Sequence, residues 1–321
     1  MPNLPLPLTD LDLAARLLQP ADLAELGDLI AQASRARQAA SGHGVEFCAI
    51  VNARSGRCSE DCAFCAQSAH HQTTAEIYPL LPAAEIVARA RAAAAAGAMR
   101  FGIVTSGRGC PSGRAFGEIC RAIEQIRAEG LISPCASLGL LTPDQAQGLA
   151  AAGLTRYHHN LEAGPSYFPR ICTSHAFADR VDTVRAAQAA GLEVCVGGIV
   201  GLGETPRQRA ELALATAALN PESVPLNFLN PIPGTRLGHL RPLTPLEALA
   251  AVAVFRLMLP SARIRTCGGR QQVLGNLAPL MYLAGADATM IGNYLTTEGR
   301  QPADDINDLA ALGLSALGRE G

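Results

Sequence analysis

The chain has 321 residues, of which 49% are hydrophobic and 17% charged, and its net charge is −2. Such a composition can bury a large core, and it excludes a disordered polymer and a basic nucleic-acid-binding surface. No apolar run reaches membrane-spanning length, and the start Met1-Pro2-Asn3-Leu4-Pro5 lacks the basic region of a secretory signal, so a cytoplasmic protein is expected. All 26 basic residues are arginine. Without lysine there is no Schiff-base chemistry, no lysine-anchored pyridoxal phosphate and no P-loop.

In chain order, Leu8-Thr9-Asp10 opens an apolar-periodic run to Leu18, and Pro20-Ala21-Asp22 opens a second to about Ala40. They predict helices that cap something over residues 1–43. After Gly42 and Gly44 the pattern alternates. Strand-like runs lie near 46–52, 100–105, 133–138, 155–160, 193–199, 223–228, 262–267 and 286–291. Helix-like runs lie near 83–97, 113–129, 143–152, 178–190, 205–219, 244–258 and 271–284, and a final one over 303–317. Eight strands alternating with helices predict a (β/α)8 TIM-type barrel over 44–295, with the N-terminal helices as a cap and 296–321 as a C-terminal helix, all in one domain. The alternative is a doubly wound open sheet, but a GxGxxG fingerprint is missing after the first strand.

Cys58, Cys62 and Cys65 stand at CX3CX2C spacing just beyond the first predicted strand, with Phe64 before the last thiol. A cubane iron–sulfur cluster takes one thiolate per iron, so three cysteines leave one iron open to a chelating ligand beside Phe64. A zinc knuckle completed by His70 or His71, or three idle thiols, are the other readings of the same spacing. The (β/α)8 topology places this loop at the C-terminal face, where barrel active sites form. The loop resembles that of the radical S-adenosylmethionine (AdoMet) enzymes.

Cys135, Cys195 and Cys267 fall in the third, fifth and seventh predicted strands. Alternate strands fill one interior layer of such a barrel, so these thiols can converge on a second metal site. Arg265 lies two residues before Cys267 and shares its face. The bland alternative is three small buried hydrophobes. Cys48, Cys110, Cys120 and Cys172 share no spacing and read as structural or incidental.

From about residue 44 to the end of the barrel the chain resembles the biotin synthase family. The likeness rests on Val51-Asn52-Ala53-Arg54-Ser55-Gly56, Cys65-Ala66-Gln67-Ser68, His159-Asn160-Leu161-Glu162, the run CVGGIVGLGE from Cys195 to Glu204, and Ser223-Val224-Pro225-Leu226-Asn227. It implies a homodimeric enzyme that inserts sulfur into dethiobiotin, using a 4Fe-4S cluster on Cys58, Cys62 and Cys65, AdoMet, and a flavodoxin- or ferredoxin-like electron donor. It also implies a deeper auxiliary iron–sulfur cluster, typically 2Fe-2S, on three cysteines and an arginine. Cys135, Cys195 and Arg265 match three of those four ligands, with Arg265 either an iron ligand or a charge partner. The remaining thiol position, after Arg100-Phe101, is Gly102, and Cys267 is the replacement, which suggests an atypical cluster, either 2Fe-2S or a larger cubane type. By the same likeness Phe64, Asn160, Glu162 and Arg180 contact AdoMet, while Asn160 and Asn227 suit the ureido ring of dethiobiotin. The glycines of CVGGIVGLGE are expected to let backbone approach the nucleoside. Other radical AdoMet barrels, such as hydrogenase-maturation or methylornithine-forming enzymes, are the rival reading, and an electron-carrying iron–sulfur scaffold is a more distant one.

Overall fold

A computed structural model describes residues 4–318. Eight parallel strand positions close on themselves. They are β1 (Gly44–Arg54), β2 (Arg100–Thr105), β3 (Ser133–Ser137), β4 (Arg156–His158), the split pair β5 (Glu193–Cys195) and β6 (Gly198–Val200), β7 (Ser223–Phe228), β8 (Arg263–Thr266) and β9 (Ala288–Met290). Each pairs with the next around the ring, and β1–β9 pairing closes it through Glu46↔Ala288 and Cys48↔Met290. The (β/α)8 barrel is therefore present, and no edge of the ring is left open.

The split of the fifth position has a local cause. Pro225 in β7 has no N–H to give the ladder. A Cβ on Gly197 would lie 2.1 Å from the Pro225 carbonyl oxygen, so the chain can pass there only as glycine. Pairing stops at Cys195↔Ser223 and resumes at Gly198↔Leu226.

Three outer helices share one start signal. Thr142-Pro143, Thr205-Pro206 and Thr244-Pro245 each place threonine at the N-cap, proline in the first turn and Gln or Glu at the third position, and each forms a reciprocal capping box. The helix Gly113–Glu129 ends on Gly130 in the left-handed region at φ 62°. The helix Pro245–Met258 is buried from Ala248 to Met258 and apolar there except for Arg256, which pairs with Asp287 at 2.8 Å. Its outer side is covered by the N-terminal helix Leu23–Ser41, whose Asp22 cap accepts from the Glu25 N–H at 2.8 Å. That contact explains why an outer barrel helix carries no polar face.

Two predicted elements differ. The run over 271–284 is broken into Arg270–Leu274, a 3-10 turn and Leu280–Leu283, because Gly275 takes φ 50° and Pro279 follows. The final helix covers Pro302–Ala311, stops at Gly313, and gives way to β10 (Ser315–Ala316), which pairs with Gly44 and Val45 of β1.

Candidate functional site

Successive side chains of a strand face opposite ways, so the barrel interior reads every second residue. From the N-terminal end upward it reads Glu46-Cys48-Ile50 on β1, Arg100-Gly102-Val104 on β2, Cys135-Ser137 on β3 and Arg156-His158 on β4. On the other side it reads Glu193-Cys195 on β5 and Arg263-Arg265-Cys267 on and just beyond β8. The result is three tiers: a charged floor, a band of thiols, and an upper cavity under the β1 loop.

The upper cavity, of about 200 Å³, is lined by Cys58, Cys62, Phe64 and Cys65 together with Asn160, Glu162 and Arg180. The cysteine loop is fixed by its own backbone, through Cys58 N–H to Gln67 O at 3.0 Å and Ala69 N–H to Cys58 O at 2.8 Å. It is strapped to residues 171–175. Asp61 accepts from Thr173 N–H at 2.9 Å, from its hydroxyl at 2.5 Å and from Ser174 Oγ at 3.0 Å. Burial opposes that charge, but the Thr173, Cys172 and Ser174 bonds outweigh it and hold the Asp61 carboxyl well below the ordinary range. Glu60 pairs with His175 in the same strap, and Cys172 Sγ lies 3.8 Å from Cys62 Sγ.

The thiols are not spaced for a single ion. Among the described residues, the group of ligand atoms that lie mutually within 4.8 Å is Glu60, Cys172 and His175; no trio of the loop cysteines qualifies. His70 and His71 bond the carbonyls of Ser59 and Cys65 instead of meeting a thiol. The zinc-knuckle reading falls on both counts. Burial pushes Cys65 up to about 11 and raises Cys58, so these thiols stay protonated near neutral pH unless a bound metal takes their charge. Thr105 Oγ1, His159 Nε2, Asn160 Oδ1 and Arg180 Nε are buried around this cavity without partners. Buried polar atoms are normally satisfied, so such a set beside three thiols fits an iron–sulfur cluster with a polar ligand on it.

Arg180 donates to the Asn160 carbonyl at 2.9 Å, lies 3.8 Å from Glu162 Oε1 and stacks over Phe168 at 5.5 Å. Asn160 Nδ2 donates to Glu162 Oε2 at 3.3 Å. Glu162 holds φ 68°, a left-handed value that non-glycine residues rarely adopt and that often marks functional sites. In CVGGIVGLGE, a Cβ on Gly198 would come within 2.6 Å of the Glu162 carbonyl oxygen, so Gly197 and Gly198 admit the protein's own backbone. Asn227 lines neither cavity. Its amide bridges Gly198 O at 3.2 Å and Gly268 N–H at 3.0 Å, leaving one N–H and one lone pair.

Cys135, Cys195, Cys267 and Arg265 do meet, around a lower cavity of about 50 Å³. Cys48, expected to be incidental, lines it too and packs on Cys267 and Met290. The signal that finds it is the two-residue step from a charged floor residue. Cys48 follows Glu46 as Cys195 follows Glu193 and Cys267 follows Arg265. Burial pushes Cys48 up to about 11 and raises Cys135 and Cys267. Cys195 goes the other way: burial opposes its charge, but the His158 hydrogen bond and the nearby arginines bring it to about 6. The floor beneath is cationic. Glu46, 4% exposed, meets Arg265, Arg100 at 3.1 Å, Arg156 at 3.6 Å and Arg263 at 3.9 Å. Burial opposes its charge, but Arg265, Arg100 and Arg156 lower it to about 2. Val104, Ser137 and His158 belong to the walls of both cavities, which are thus neighbours along the barrel axis.

Comparison with known proteins agrees with this architecture. Residues 53–215 match the radical SAM superfamily and residues 225–315 the biotin and thiamin synthesis associated domain. Biotin synthase of Geobacter sulfurreducens is 53% identical over 287 residues, covering 89% of this chain and 87% of that protein. Biotin synthase of Trichlorobacter lovleyi is also 53% identical, covering 91% and 87%. Among solved structures, methylornithine synthase superposes with a TM-score of 0.83 at 17% identity, covering 96% of this chain and 94% of that one. A FeFe-hydrogenase maturase from Carboxydothermus hydrogenoformans reaches 0.82 at 18%, covering 96% and 75%. At such identities these two share the fold alone, so the rival reading gains nothing from them. No helix among the described residues is long and apolar enough to cross a membrane. The chain belongs to the biotin synthase family of radical AdoMet enzymes, which use a 4Fe-4S cluster and AdoMet, and it acts as a sulfurtransferase in biotin synthesis.

Proposed function

We propose that the chain converts dethiobiotin to biotin with sulfur drawn from an auxiliary iron–sulfur cluster in the lower cavity. The supporting observation is the shared wall of Val104, Ser137 and His158, which sets a radical-generating chamber directly against a thiol-lined one. When bound, the upper cluster supplies the electron that splits AdoMet and the lower one supplies sulfur.

The chain's own residues bind and orient. Cys58, Cys62 and Cys65 hold the upper cluster, with Phe64 beside its open iron. Asn160 and Glu162 take the hydroxyls of the AdoMet ribose, and Arg180 fixes them through the Asn160 carbonyl. Asn160 reaches the dethiobiotin ureido ring with its unpartnered Oδ1, and Asn227 with its remaining N–H. Cys135, Cys195 and Cys267 hold the auxiliary cluster, with Arg265 beside it, as 2Fe-2S or as a larger cubane. The cap (1–43), barrel (44–295) and C-terminal segment (296–321) act as one unit, supported by the β10–β1 pairing. A flavodoxin- or ferredoxin-like donor delivers the electrons, and the active form is a homodimer.

Anaerobic reconstitution with iron and sulfide, followed by assay with AdoMet, dethiobiotin and a reductant, tests this. Biotin should form. Iron beyond the upper cluster should be about two per chain for 2Fe-2S and about four for a cubane. AdoMet cleavage without biotin in fully loaded protein would favour a different radical AdoMet reaction.

A further inference from the structure

The lower cavity holds one more thiol than the three assigned to it. We propose that Cys48 is a fourth thiolate of the auxiliary cluster, and that Arg265 serves that cluster as a hydrogen-bond donor and counter-charge instead of an iron ligand. This rests on the auxiliary-cluster reading above.

Cys48, Cys135, Cys195 and Cys267 come from β1, β3, β5 and the end of β8, so they approach the cavity from four sides. All four are buried, between 1% and 9% exposed. No three of them have sulfurs mutually within 4.8 Å. Ligands of one ion crowd together, whereas thiolates on separate irons of a cluster stand further apart. The set therefore suits a polynuclear centre and excludes a mononuclear one.

Arg265 is already engaged. Its Nη2 pairs with Glu46, while its Nη1 is buried, 3% exposed as a residue, and lacks a partner at the cavity. A guanidinium has five N–H donors and no acceptor, and the Glu46 pairing already occupies Nη2. Such a group offers N–H to a cluster sulfide. It does not offer iron a lone pair. Arg156 Nη1, 3.6 Å from Glu46, is likewise buried on the same wall without a hydrogen bond. The anionic ligand left is the Cys48 thiolate.

The neighbouring strand explains why the thiol comes from β1. Gly102 of β2 pairs with Ile50, and a Cβ at Gly102 would stand 3.0 Å from Ile50 Cγ2. A side chain there requires Ile50 to move. Cys48, two residues below Ile50 on the same face, reaches the cavity without that conflict.

The test uses the anaerobically reconstituted full chain, with iron and sulfide counts and Mössbauer spectra of 57Fe-loaded protein. Wild type should carry about eight irons, four per cubane, and C48A about seven or fewer, with a changed auxiliary spectrum and an unchanged AdoMet-cluster signal. Cys48→Ser, closer in size, should retain the iron count but shift the spectrum of one iron site, which separates ligation from a packing defect. Arg265→Met should keep the irons. Unchanged iron and spectra in both Cys48 variants, or loss of auxiliary iron in R265M to the extent seen in C135A, would overturn the proposal while leaving the auxiliary cluster in place. Wild type with no iron beyond four per chain would overturn both readings.

Discussion

The upper and lower cavities are both lined by cysteine, but they are built in opposite ways. The upper thiols lie within eight consecutive residues, and their geometry is set by a loop that bonds itself and is strapped to residues 171–175. The lower thiols are spread from residue 48 to residue 267, and only the closed sheet brings them to one place. Their electrostatics differ as well. The upper wall balances acids against arginines, as Glu162 against Arg180, and carries orphaned hydrogen-bonding atoms, suited to a ligand that comes and goes. The lower one stands on a cationic floor of Arg100, Arg156, Arg263 and Arg265 around Glu46, suited to a resident anion.

If the two chambers have separate roles, variants should separate them. The largest effect is expected from Cys62→Ala, which should abolish 5′-deoxyadenosine formation together with biotin. Cys195→Ala should leave deoxyadenosine formation measurable while biotin disappears. Both products are quantified in one chromatographic run, and equal loss of both in C195A would join the chambers into a single site.

Next is Glu46→Gln, which leaves Arg265 without a carboxylate and Arg100 and Arg156 with Glu193 alone, and should cost about 3 kcal/mol in urea unfolding at pH 7. Folding lowers the Glu46 pKa from 4.5 to about 2. The stability from its ionised form is therefore complete above pH 4.5 and lost as pH falls towards 2, a span of about 3 kcal/mol at 1.36 kcal/mol per unit. The gap between wild type and E46Q should narrow over that acid window. A gap that stays constant from pH 7 to pH 3 would mean that the floor is held by packing, not charge.

The smallest effect is expected from Arg180→Lys. Lysine keeps the charge but not the fork that donates to Asn160 and stacks on Phe168. The KM for AdoMet should rise about tenfold, or about 1.4 kcal/mol, with kcat changed less. A fall confined to kcat would place Arg180 closer to the reacting atoms than its contacts indicate.

Much of the upper site was legible because its information is local. CX3CX2C with Phe64 names the loop, the strand before it places it at the C-terminal face, and His159-Asn160-Leu161-Glu162 supplies the opposite wall. The lower site was legible in part. Counting strands found Cys135, Cys195 and Cys267 on the third, fifth and seventh; Cys48 on β1 completes that odd-numbered set, but it was passed over because it shares no spacing with the other thiols. It belongs because shear in a closed barrel brings residues of different strands to one height, which strand number alone does not reveal. The close approach at Gly197 and Gly198 was legible only in part for a related reason. A glycine run says that something approaches closely, and only the packing of Pro225 and Glu162 says what.

The sequence alone determined the strand–helix alternation, the capped helix starts and the three-thiol loop, since hydrophobic period, turn residues and ligand spacing act over a few residues. Tertiary structure decided which strands meet, that Asn227 bridges backbone beside the cavities, and that a fourth thiol shares the lower chamber. Those outcomes depend on ring closure and register, quantities that no single stretch of the chain contains.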